Sequence, residues 1–117
     1  MATFARNKLS GSTNGRGIKV SATAIASGTT IHTAVSGTSD WDLITLLVMN
    51  SDTVSHKLTL GVGGTTDPDD LIEVTIPPEA GLVPVMAQML LQNGLVLKAA
   101  ADTADMLVLF GHIDEIR

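Results

Sequence analysis

Residues 41–64, WDLITLLVMNSDTVSHKLTLGVGG, constrain the fold more than any other stretch of the chain. From 43 to 49 the side chains are apolar on both faces of a pleated strand, Thr45 excepted. From 57 to 62 the pattern alternates instead, with Leu58, Leu60 and Val62 set against Lys57, Thr59 and Gly61. The first pattern predicts a central strand and the second a half-exposed neighbour. Between them, Asn50, Ser51, Asp52, Thr53 and Ser55 have short polar side chains that bond their own backbone and stabilise turns. The stretch therefore reads as a hairpin at the heart of a β domain, and it contains no catalytic group.

The remaining segments extend the same pattern. Ile18, Val20, Ala22 and Ala24 alternate with Lys19, Ser21, Thr23 and Ile25, predicting the first strand of the body. Residues 29–35 are rich in β-branched side chains and predict a second. Residues 71–76 predict another, ended by Pro77 and Pro78, which supply no N–H to a ladder. Residues 81–92 could hold a short helix over 86–92, but Pro84 and its apolar neighbours favour a strand with the proline at an edge or bulge. Asn93-Gly94 then marks a tight turn into 95–99, and 102–105 turn the chain into a last strand over 106–113. The sum is an all-β domain over residues 18–117, an antiparallel β-sandwich or jelly-roll-like barrel of about eight strands. Residues 1–17 are polar and lack a usable period, which predicts an extended N-terminal arm.

Charge divides along the same boundary. Residues 1–39 hold Arg6, Lys8, Arg16 and Lys19 and no acidic residue, whereas 40–117 hold three basic and twelve acidic ones. Such a chain is a basic arm on an acidic body, the arm suited to an acidic partner surface. Aromatic residues make up only 3%, with no tyrosine, so stacking platforms for sugars or single-stranded nucleic acid are disfavoured. Without cysteine there is no disulfide framework, thiolate nucleophile or thiolate metal site. The N-terminal residues lack the apolar stretch of a secretory signal, and no apolar run reaches the roughly 20 residues of a membrane-spanning helix. A soluble chain with no membrane partner is expected.

Motifs for chemistry are weak. Gly61-Val62-Gly63-Gly64-Thr65-Thr66 lacks the lysine of a phosphate loop and runs into Asp67-Pro68-Asp69-Asp70, whose carboxylates would repel phosphate. That acidic loop could offer oxygen ligands to calcium, although its spacing is not that of an EF-hand. His32, His56 and His112 show no metal-ligand spacing, and Glu73 and Glu79 are separated by Pro77-Pro78. No activated-nucleophile motif occurs, so no enzyme, cofactor, catalytic residue or metal ligand is expected. Met86, Met89, Leu90 and Leu91 fit either the core or a subunit interface, against which methionine packs adaptably. The mean hydropathy of +0.33 raises the interface reading, which makes these four the oligomer-interface candidates.

Several features together bear a family likeness. They are the basic Asn7-Lys8-Leu9 arm, the Asn50-Ser51-Asp52 corner before Lys57-Leu58-Thr59-Leu60, the loop from Gly63-Gly64-Thr65 to Asp70-Leu71-Ile72, and the closing GHIDEIR, residues 111–117. In these the chain resembles small β-rich structural proteins from the head gene clusters of tailed bacteriophages, notably capsid decoration or cement proteins. The resemblance implies a virion protein on the outer face of the capsid, commonly a homotrimer, that clamps neighbouring major capsid proteins and is assembled in the host cytoplasm. On this reading Arg6, Lys8, Leu9 and Arg16 of the arm contact the capsid partner, since an arm can add a strand to a neighbour's sheet edge. The alternatives are a tail, neck or head-completion subunit and, from another class, a calcium- or small-ligand-binding β-sandwich.

Overall fold

The computed structural model describes residues 3–117 and contains nine strands. In chain order they are β1 (Phe4–Lys8), β2 (Ile18–Lys19), β3 (Thr29–Thr33), β4 (Trp41–Asn50) and β5 (His56–Val62), followed by β6 (Leu71–Ile76), β7 (Val83–Leu91), β8 (Val96–Ala101) and β9 (Leu107–Ile116). All pair antiparallel, in two sheets. One has the order β1-β9-β4-β7, with β2 also on β9, and the other β3-β8-β5-β6. Because β1 and β2 lie one after the other along the same edge of β9, they act as a single interrupted strand. The eight-position arrangement that results is the jelly roll, two four-stranded sheets face to face.

The sandwich forms because the inner strands each have one face that must leave water. Along β4, Ile44, Leu46 and Val48 are buried, along β5 Leu58 and Leu60, along β8 Leu97 and Ala99, and along β9 Leu107, Leu109 and Ile113. These side chains meet between the sheets in one core.

One sequence expectation is corrected by this topology. Residues 41–64 are not a hairpin. β4 pairs with β7 and β9 in one sheet, whereas β5 pairs with β6 and β8 in the other, so residues 51–55 carry the chain across the sandwich. The Asn93-Gly94 turn forms as expected, with both residues at positive φ, 62° and 69°, and it joins strands of opposite sheets. Alternation reports which face is buried, and it is silent on which strand lies alongside.

The N-terminal segment is also corrected. Met1 and Ala2 of the expected arm lie outside the described residues. From Thr3 onward the segment belongs to the sandwich, because β1 pairs with β9 from Phe4↔Ile116 to Lys8↔His112. Leu9 is fully buried in the core. Residues 9–12 then tie the two sheets together: the Gly11 N–H donates to the Ile31 carbonyl at 2.9 Å and the Thr33 N–H to Ser10 Oγ at 2.7 Å. The expected strand from Ile18 shrinks to two residues, and a 3-10 turn occupies Ile25–Ser27.

Candidate functional site

Two histidines expected to be scattered are each locked in a polar cluster. His32 is buried, and its Nδ1 accepts the Ser10 N–H at 3.0 Å, so Nε2 carries the proton donated to Asp42 Oδ2 at 2.8 Å. Asp42 is buried as well and accepts further bonds from the Val35 N–H and Arg117 Nη1, both at 3.0 Å. Burial pushes the Asp42 carboxyl upward, but the bonds from His32, Arg117 and Val35 outweigh it and hold the group below its ordinary range. His56 differs in kind. Its Nε2 lies 2.7 Å from Asp52 and its Nδ1 2.8 Å from Asp102. Two ionised carboxylates can only accept, so both ring nitrogens donate and the ring is an imidazolium. The Asp52 bond is the largest cause of its raised pKa, with burial opposing it and Asp102 adding to it. All four ring nitrogens of these two histidines are occupied, which leaves neither ring free to act as a base on a substrate.

The glycine-rich loop is similarly self-contained. Asp70 accepts the Thr66 N–H at 3.1 Å through its carboxylate and donates its own N–H to the Thr66 carbonyl at 2.8 Å. Gly64 leaves room for this carboxylate, since a Cβ there would meet Asp70 Oδ2 and move it. Among the described residues, no three His, Asp or Glu side chains converge to hold a metal ion.

The expected partner-binding residues separate on folding. Arg6 lies on β1 with its guanidinium on Asp114, Nε to Oδ1 at 2.8 Å, while Gln88 donates to the other Asp114 oxygen at 2.8 Å. The Arg6 bond, followed by that from Gln88, pulls the Asp114 carboxyl down to about 2. Lys8 and Arg16 are exposed, and Leu9 is unavailable because it fills the core. Of the oligomer-interface candidates, Met86 and Leu91 are buried within the chain, whereas Met89 and Leu90 remain 39% and 41% exposed. The reason is that β7 is irregular: its register against β4 shifts twice, and Gln88 sits at a φ of 51°. Simple alternation therefore does not hold along it.

The feature that sequence reasoning passed over is the outward face of the five-stranded sheet. The register places Phe4, Ile116 and Trp41 in one outward row, Phe110 and Leu47 in another, and Val108 and Met49 in a third. Between the apolar ends runs a polar band of Arg6, Asp114, Lys8, His112 and Thr45. Phe4 is 73% and Trp41 44% exposed, and Leu43, Leu47, Met49, Val108, Phe110 and Ile116 are half-buried. The signal was present in the two-sided apolar runs of β4 and β9. In a two-layer sandwich only one face of each strand can meet the other sheet, so the second apolar face is left toward solvent.

Scans of the chain against protein-family models, curated proteins and solved structures found no match.

Proposed function

We propose that the chain is a non-enzymatic virion structural protein, a decoration protein of a tailed bacteriophage that binds the outer surface of the major capsid protein shell and stabilises it. One observation carries the reading: the outward face of the β1-β9-β4-β7 sheet is an apolar surface with a polar band across it, on which, among the described residues, no further sheet or helix is packed. Contiguous apolar area of this kind marks a protein interaction surface. The locked histidines and the self-bonded acidic loop direct attention away from a reaction centre and toward that surface. Jelly rolls recur in viral capsid proteins, which agrees with the reading; a fold alone does not assign a function. The family likeness of the sequence points the same way.

The face also replaces the free arm as the contact with the capsid, because β1 is part of the sheet and Leu9 part of the core. The test mixes the purified chain with expanded shells of the phage that encodes it and follows co-sedimentation. The folded wild type is expected to bind at saturable stoichiometry, and a Phe4→Glu/Trp41→Glu variant with an unchanged far-UV spectrum is expected to lose binding. Absence of binding by the folded wild type would overturn the proposal. Undiminished binding by the variant would remove the sheet face as its basis.

A further inference from the structure

The lateral edges of the sandwich differ in charge and in how far they are closed. On one side lie β1, β2 and β3, joined across the sheets by residues 9–12. On the other lie β6 and β7, the opposite ends of the two strand orders. Lys8, Arg16 and Lys19 belong to the first side and make no ion pair among the described residues; Arg6 beside them is held by Asp114. The second side presents Asp67, Asp69, Glu73 and Glu79, and among the described residues only Glu73 of these is paired, with Lys57. The charge asymmetry along the sequence thus becomes an asymmetry across the width of the molecule.

Backbone availability singles out one strand on each side. β3 is covered where Ile31 accepts the Gly11 N–H and Thr33 donates to Ser10. β7 is blunted by Pro84 and by its register shifts. β1 and β6 remain. Thr3 and Arg117 exchange both backbone bonds, at 2.8 and 2.9 Å, so by alternation the N–H and C=O groups of Phe4 and Arg6 point away from β9. Beyond them the Lys8 N–H is taken by Asn7 Oδ1 at 2.8 Å. On β6, the Val62 N–H donates to the Asp70 carbonyl at 2.9 Å, which by the same alternation turns the backbone groups of Leu71, Glu73 and Thr75 outward.

We infer that β1 of one copy of this chain docks along β6 of the next, in a head-to-tail association that extends the β1-containing sheet of one copy into the β6-containing sheet of its neighbour. Charge selects this pairing over the others. Two β1 edges would bring Lys8, Arg16 and Lys19 against their like, two β6 edges would bring Asp67, Asp69 and Glu79 together, and only the mixed pairing joins opposite signs. Such a heterologous contact yields a closed ring when the rotation between copies closes, and a filament when it does not. The inference specifies how the decoration protein of the preceding reading associates with itself. It uses the edges of the sandwich with the charges beside them, Lys8 at the margin of the polar band included, and leaves the apolar rows of the outward sheet face free for the shell.

The experiment is made without any capsid, so that the two readings fail separately. Sedimentation velocity of the full chain at tens of micromolar is expected to show an oligomer of defined size at about 0.05 M salt that weakens at about 0.5 M, where exposed charges are screened beyond roughly 5 Å. Lys8→Glu/Arg16→Glu and, separately, Asp67→Lys/Asp69→Lys should each raise the apparent dissociation constant at least about tenfold. Mixing the two variants should restore association at one-to-one stoichiometry, the variants alternating along the assembly, since each keeps one native edge and the reversed edges match each other. All these positions are exposed, and unchanged circular dichroism checks that the variants fold. A monomeric wild type, an oligomer indifferent to both reversals, or a mixture that does not associate would overturn the inference. A monomer that still binds shells would leave the capsid proposal standing, and an edge-dependent oligomer that ignores shells would remove the capsid proposal alone.

Discussion

Asn50 offers a direct test of how the chain crosses from one sheet to the other. It is buried at the end of β4, where its Nδ2 donates to the Val54 carbonyl at 2.9 Å and to the Ile76 carbonyl at 3.0 Å, and its Oδ1 accepts the Asp52 N–H at 2.9 Å. One amide therefore holds the corner at 51–55 and pins it to the last residue of β6 in the opposite sheet. Asn50→Ala removes all three bonds, each contributing a net ~1 kcal/mol, and leaves the buried Ile76 carbonyl without this donor. Val54 is exposed, so water can replace the amide at its carbonyl and recover part of the loss. The expected destabilisation is about 3 kcal/mol, which lowers the melting temperature of a domain this size by roughly 10 °C.

Asn50→Asp is the sharper variant, because it keeps the shape and reverses the role of the group. An ionised carboxylate would aim oxygen at two carbonyl oxygens where the amide had donated, and protonation would restore one donor. The aspartate pKa is accordingly expected to be raised in the folded state. Sign then follows from linkage: the aspartate's contribution is present below its unfolded pKa and lost as pH rises through the folded value. Asn50→Asp should be more destabilised at pH 7 than at pH 4, relative to wild type at each pH. Urea unfolding followed by the fluorescence of Trp41, the only tryptophan, reads both variants. A loss below about 1 kcal/mol for Asn50→Ala would refute the reasoning, as would an Asn50→Asp deficit equal at the two pH values.

Other predictions rest on the remaining polar contacts and on backbone approach. The raised His56 pKa, caused first by the Asp52 bond, gives a stabilisation fully present below the unfolded histidine value near 6.5 and lost as pH rises through the folded value. The lowered Asp52 and Asp102 carboxyls give the opposite dependence, present above the unfolded aspartate value near 3.8 and lost as acid protonates them. The stability difference between wild type and His56→Gln, measured by urea unfolding at several pH values, should therefore be greatest between these limits and shrink on both sides. Asp114, at about 2 in the folded state, contributes stability above its unfolded pKa near 3.8 that disappears as pH falls through about 2. Arg6→Met should return the carboxyl toward its ordinary range, as carboxylate NMR titration would report. Gly111→Ala should cost about 3 kcal/mol or more, because its Cβ would fall 2.1 Å from the Thr45 carbonyl oxygen, a backbone atom of the paired strand. A soluble Gly111→Ala protein melting within a few degrees of wild type would contradict that close approach.

What the sequence determined by itself were the properties set by a few neighbouring residues. The strand at Leu71–Ile76 is legible because β-branched side chains meet Pro77 and Pro78. The strand at Val83–Leu91 is legible despite the competing helix pattern, and the all-β class follows from the spacing of such segments. Tertiary structure decided everything that depends on partners far along the chain. Leu9 looked like one apolar residue in a polar arm, yet the turn over 9–12 delivers it to the core. Met86 and Met89 have the same side chain three residues apart, and on the edge strand β7 one is buried while the other stays 39% exposed, although the register sets both opposite buried residues of β4. His32 and His56 acquire different proton states because the first faces a backbone N–H and a carboxylate, whereas the second faces two carboxylates. The two-sided apolar pattern of 43–49 is the clearest case of divided authority. Local sequence established that both faces are apolar, and only the packing of two sheets established that, among the described residues, one of those faces has no second sheet against it.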